Sequence, residues 1–219
     1  MTLFCILCLS LAALFIMEEN REKYVAATIL KGLASLCFVI VGVMAADGGH
    51  LAKLILIGLV LGCIADILLN LRWVFKEKGK IIFLIGILVF LSGHVVYLAA
   101  VLPLAKSWIA SAAVGIVITV LLMKWIFTKI TAEKAFKIFG VFYIGAIVLL
   151  NCVAFGNLIT SPDRFTGIFA AGAFLFLISD IVLILNTFGP ASKFSLRITN
   201  LSLYYIGQLM IALSLLYTG

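Results

Sequence analysis

Residues 58–73 read GLVLGCIADILLNLRW, and after a short basic link residues 90–98 read FLSGHVVYL. A carboxylate, Asp66, stands inside a run too apolar for a soluble loop. An ionisable side chain inside a membrane span is costly, and by default it points to function. Nearly the same text returns later. Residues 172–186 read GAFLFLISDIVLILN, with Asp180, and residues 204–216 read YYIGQLMIALSLL, with Gln208.

The rest of the chain has the same character. Of 219 residues, 65% are hydrophobic and 11% are charged, which no ordinary soluble domain tolerates. A membrane helix needs about 20 apolar residues. Dividing the chain in that way uses nearly all of it, leaving one transmembrane domain over residues 1–219. The runs lack the alternation of a transmembrane β-barrel. The expected fold is therefore all-α, a polytopic membrane bundle of about eight transmembrane helices.

The spans read Thr2–Met17, Tyr24–Ala46, Leu51–Leu71, Ile81–Leu102, Ser107–Met123, Ile138–Leu158, Phe165–Leu185 and Ile198–Tyr217. The first has neither a clear basic leader nor a small-residue cleavage site, so it reads as a helix rather than a signal peptide. Glycines in Asp47-Gly-Gly-His50 mark one turn, Ser161-Pro-Asp-Arg164 marks another, and Pro103 ends the fourth span.

The net charge of +7 does not point to nucleic acid, because the basic residues lie in short links and no basic domain exists to grip phosphates. Links 1–2, 3–4, 5–6 and 7–8 hold Arg21, Lys23, Arg72, Lys76, Lys78, Lys80, Lys124, Lys129, Lys134, Lys137, Lys193 and Arg197. The opposite side holds only Lys53, Lys106 and Arg164. The excess of basic residues on one side predicts that both termini are non-cytoplasmic. A chain this compact suggests a bacterial inner membrane.

Asp66 and Asp180 are 114 positions apart, and at that offset Gly58 falls on Gly172, Gly93 on Gly207 and His94 on Gln208. Two parallel four-helix repeats follow, with halves of about 1–105 and 106–219, in the manner of some transporters.

Helix rise places Asp66 about 7 Å, Asp180 about 8 Å and Lys31 about 10 Å from the basic end. Tyr143 falls in the same layer. His94, Asn151 and Gln208 fall in a deeper one. Lys31 has a stem long enough to snorkel, but an aspartate has none. Asn70 and Asn186 sit at span ends and read as caps or as groups wetting the interface, and Trp73, Trp108 and Trp125 as an aromatic belt. The five cysteines lie in apolar runs and read as packing residues.

Two carboxylates and one ammonium in a single low-dielectric layer do not titrate alike, and that inequality separates a general acid from a general base. Asp66 and Asp180 are the candidate catalytic residues, with Lys31, His94, Tyr143, Asn151 and Gln208 as polar support. The chain has no nucleophile elbow, no zinc-protease motif and no phosphate-binding glycine loop, and two distant histidines make no metal site. No metal and no cofactor is expected.

The motifs Gly58…Asp66-Ile-Leu-Leu69, Gly93-His94-x-x-Tyr97, Ser179-Asp180 and Tyr205-x-Gly207-Gln208 together resemble the lysoplasmalogenase (YhhN-like) membrane protein family, over about residues 24–217. That family has a Lys-Pro-Leu on its second helix, and Lys31-Gly32-Leu33 is similar to it without the proline. The resemblance implies a hydrolase that cleaves the vinyl ether bond of lysoplasmalogens. The substrate would be a lysophospholipid taken from the bilayer. The products would be a fatty aldehyde and glycerophosphocholine or glycerophosphoethanolamine. It also implies that the family's paired acids match Asp66 and Asp180. Lys31 would then hold one acid ionised or meet the substrate phosphate. The alternative is a proton-coupled transporter or lipid carrier, which buried acids and a parallel repeat suit equally well.

Overall fold

A computed structural model describes residues 1–218, without the side chain of Ala135. Among the described residues there are eight α-helices, no strands, and three single 3-10 turns. The helices are α1 (Thr2–Asn20), α2 (Tyr24–Ala45), α3 (His50–Val74), α4 (Gly79–Val101), α5 (Trp108–Phe127), α6 (Lys134–Thr160), α7 (Arg164–Phe188) and α8 (Phe194–Ser214). All eight are long and apolar enough to cross a membrane. The chain is an integral, multi-pass membrane protein.

Several helices run past the apolar spans. α1 continues through Glu18 and Glu19, α3 through Arg72, and α6 begins at Lys134. Glu, Arg and Lys are good helix formers, so charge ends the hydrophobic run before it ends the helix. At the start of α7 the Asp163 Oδ1 accepts the Thr166 N–H at 2.7 Å, and Thr166 Oγ1 accepts the Asp163 N–H at 3.0 Å. This reciprocal box satisfies two helix-end donors and fixes where α7 begins. Gly48, at φ +81°, makes the turn into α3.

α3 packs along α4, and α7 packs along α8. α4 also lies against α6, and α8 lies against α2. α3–α4 with α7–α8, and α4–α6 with α8–α2, are pairs four helices apart in chain order. α1 and α5 stand outside, α1 against α2 and α8, and α5 against α6. Three of the four glycines that recur at the same offset, Gly58, Gly172 and Gly207, mark close contacts between helices. A Cβ on Gly172 would come within 2.8 Å of the Gly207 carbonyl oxygen, and one on Gly207 within 2.8 Å of the Gly172 oxygen. A Cβ on Gly58 would enter the ring of Tyr97. Small residues let membrane helices approach this closely. Gly172→Val is therefore expected to push α7 from α8. It should destabilise by at least the 1–3 kcal/mol typical of overpacking, since the obstructing atoms are backbone. A lowered melting temperature in detergent checks this; an unchanged one refutes the close contact.

The five cysteines are all free. Cys8 Sγ donates to the Ala34 carbonyl at 3.2 Å and serves as packing between α1 and α2. Trp73, Trp108 and Trp125 are 41%, 55% and 46% exposed, as belt residues at helix ends should be.

Candidate active site

Asp66 and Asp180 are each 2% exposed, and both line one chamber of about 30 Å³, with room for about two waters. Each acid draws its partners from two other helices. Asp66, on α3, meets Lys31 of α2, with Nζ 3.1 Å from Oδ1. Its Oδ2 accepts the hydroxyls of Ser35 and of Tyr204, each at 2.6 Å. The carboxylate thus has one ammonium and two hydroxyl donors, which offset the cost of keeping it out of water, and the ammonium lies 5.4 Å from the Phe15 ring centroid. Lys31 is 3% exposed and does not snorkel.

Asp180, on α7, has different company. Its Oδ2 accepts the Tyr143 hydroxyl of α6 at 2.9 Å. His94 of α4 brings Nε2 to 3.3 Å of the same oxygen, yet neither ring nitrogen is aligned for a hydrogen bond. The approach is thus a close contact rather than a formed hydrogen bond. The ring is held among aromatic neighbours, with centroids 4.8 Å from Phe176 and 5.1 Å from Tyr143.

His94 therefore does not belong to a deeper layer than the acids. The reason is side-chain direction. Side chains tilt toward the N-terminus of their own helix. Two crossings, α5 and α6, separate α4 from α7, so the two run oppositely and His94 and Asp180 tilt toward each other. Counting helix rise to Cα positions misses that convergence.

Asn151 and Gln208 do lie apart from the acids. Asn151 Nδ2 donates to the Ile147 and Ala173 carbonyls at 2.8 and 3.2 Å, tying α6 to α7. Gln208 Oε1 accepts the Tyr97 hydroxyl at 2.9 Å, tying α8 to α4. The sequence counterparts His94 and Gln208 thus do different jobs. Asn70 is 1% exposed and donates to Thr28 Oγ1 at 3.3 Å, so it is a helix tie, not an interfacial cap. Asn186 Oδ1 accepts the Lys193 N–H at 2.7 Å and closes the turn between α7 and α8.

Ser35 and Tyr204 were not legible as site residues in the sequence. A serine and a tyrosine in apolar helices are common, and only the packing of α2 and α8 onto α3 aims them at Asp66. A weak signal existed in Ser35, which lies one helical turn from Lys31 and so shares its face.

Two further spaces adjoin the acid chamber. On the basic side a vestibule of about 860 Å³ opens, sharing Arg72, Phe83, Leu183 and Arg197 with the chamber. Between α4, α6 and α7 lies a slot of about 60 Å³, lined by aromatic and aliphatic side chains and sharing Leu69, Phe83, Phe90 and Leu183 with the chamber. Among the described residues no cluster of three or more His, Cys, Asp or Glu side chains is arranged to hold a metal.

Comparison with curated proteins and with solved structures finds no match. A family model described as the YhhN family matches residues 26–215, which takes in α3, α4, α6 and α7 whole and every residue around the acids. By that match over most of its length, the chain belongs to the YhhN family, which includes lysoplasmalogenase.

Proposed function

We propose that the protein is a membrane hydrolase that cleaves the vinyl ether bond of lysoplasmalogens by carboxylate acid–base catalysis. The observation that carries this reading is the pair of buried acids on one small chamber, one ion-paired and the other without an ammonium or guanidinium. The chamber lies between a polar vestibule and an apolar slot, a layout that suits a lysolipid with its headgroup on one side and its chain on the other.

Hydrolysis of a vinyl ether begins with protonation of the alkene carbon distal to oxygen, which leaves an oxocarbenium ion. In this proposal Asp180 donates that proton. Asp66, paired with Lys31 and accepting the hydroxyls of Ser35 and Tyr204, faces the cation and takes a proton from the water that adds to it. The resulting hemiacetal breaks its carbon–oxygen bond to glycerol, giving the aldehyde, while the glycerol oxygen takes up a proton. One water is consumed, and the proton count returns to its start. The division of labour follows glycoside hydrolysis, where one carboxyl is the acid and the other stabilises the cation. His94 and Tyr143 orient the Asp180 carboxyl; Asn151 and Gln208 hold the helices that carry the site.

The test is release of fatty aldehyde from lysoplasmenylcholine or lysoplasmenylethanolamine by the purified protein. Absence of turnover on either, with proton flux in proteoliposomes, would sink the proposal in favour of a transporter.

The chamber as folded has room for about two waters but not for an alkenyl chain, so the substrate enters only when the shared walls Phe83, Phe90 or Leu183 shift. Leu183→Trp is expected to block that passage. Aldehyde release should fall at least tenfold while the melting temperature changes little. Retained activity would place the alkenyl group elsewhere.

The basic end is proposed to face the cytoplasm of a bacterial inner membrane, following the distribution of Lys and Arg. Cysteines placed at Lys78 and Arg164 should then be labelled from outside only at position 164; labelling only at 78 inverts the topology.

A further inference from the structure

The cations of the vestibule are not equivalent. Arg197 is committed to Glu19 in a two-pronged pair, with Nε–Oε2 at 2.8 Å and Nη2–Oε1 at 2.7 Å. Lys80 is paired with Glu133 at 2.8 Å. Lys31 is committed to Asp66 inside the chamber. Arg72 has no salt-bridge or hydrogen-bond partner among the described residues, and its Nε is buried. Its guanidinium is held flanked by two rings, 4.7 Å from the Trp73 centroid and 4.3 Å from the Phe83 centroid.

A buried donor left unpaired is costly. Here that donor belongs to a stacked and oriented guanidinium, the geometry that suits two-pronged binding of a phosphate. Arg72 lines both the vestibule and the acid chamber, so it sits at the neck between them. Lys76 and Lys193 line the vestibule around it, and its one lining carboxylate, Glu19, is already occupied by Arg197.

We infer that Arg72 is the phosphate-binding residue, taking the phosphodiester of a lysophospholipid headgroup in the vestibule with Lys76 and Lys193 beside it. This rests on the proposed hydrolase reading, and geometry links the two. The phosphate and the ether oxygen are carried by the first and third carbons of one glycerol. A phosphate subsite must therefore adjoin the acids, and Arg72 is the unpaired cation that touches both spaces. Lys31 is removed from that role by its pair with Asp66.

The test uses binding, which needs no turnover. Radiolabelled 1-O-hexadecylglycerophosphocholine has a saturated ether in place of the vinyl ether, and 1-O-hexadecylglycerol is its counterpart without phosphate. The detergent-purified protein is expected to bind the first at least tenfold more tightly. Arg72→Gln should erase that preference, and Arg72→Lys should restore part of it. A wild-type protein without the preference, or an Arg72→Gln variant that retains it, overturns the assignment. Inorganic phosphate competing as well as glycerophosphocholine would make this a free-phosphate site and overturn the headgroup assignment. Failure of the hydrolase reading alone appears as preserved, Arg72-dependent binding without aldehyde release. With turnover, Arg72→Gln should raise KM for lysoplasmenylcholine at least tenfold with little change in kcat. It should leave 1-alkenylglycerol unaffected, whereas a merely structural role would slow both.

Discussion

Asp180→Asn is expected to lower aldehyde release from lysoplasmenylcholine by about 10²–10⁴-fold, the usual worth of a positioned general acid. The amide oxygen still accepts the Tyr143 hydroxyl, which Asp180 Oδ2 now takes at 2.9 Å. Among the described residues no lysine or arginine pairs with Asp180, so no such ion pair is lost; the neighbour that meets it is the His94 ring. The variant should therefore fold and bind lipid with little change, and the loss should fall on kcat. Protonation of carbon is slow, so the wild-type reaction should run slower in D₂O. Wild-type kcat in a folded Asp180→Asn variant would remove Asp180 from the mechanism.

Lys31→Met should act first on stability. It strips the ammonium from a carboxylate that is 2% exposed, and breaking a buried ion pair from one side costs about 3–5 kcal/mol. Ser35 and Tyr204 still donate to Asp66, which should hold the cost near the lower end of that range. Lys31→Met combined with Asp66→Asn removes both charges and should regain most of the lost stability, because the amide oxygen keeps those two hydroxyl donors. Both variants should be inactive, the single one through the altered Asp66 and the double one through its absence. Thermal unfolding in detergent reads the difference. If the single variant melts with the wild type, or the double variant melts below the single one, the pair does not bear the structural weight given to it.

The asymmetry between the acids is what the tertiary structure adds to a nearly symmetric sequence. Gly58 with Asp66 and Gly172 with Asp180 are written alike, and the acids lie on α3 and α7, four helices apart in chain order. Their partners are not alike. Lys31 and Tyr204 come to Asp66 from α2 and α8, while Tyr143 and His94 come to Asp180 from α6 and α4. One acid is ion-paired and one is not, and the proposed chemistry depends on that difference.

The eight helices were determined by the sequence itself. In a bilayer every backbone polar group must be satisfied within the protein, and apolar runs of span length without strand alternation do so as helices. The turns at Gly48 and Asp163 were equally local, set by a left-handed glycine and by a capping box. The two acids could be picked out because charge in an apolar run is costly wherever it sits. Which groups meet those acids was not written locally. Ser35, Tyr204 and the approach of His94 depend on how helices distant in sequence rotate and tilt against each other. That packing is set by small residues at close contacts such as Gly172 and Gly207, and only its result decides which cations are already paired and that Arg72 is not.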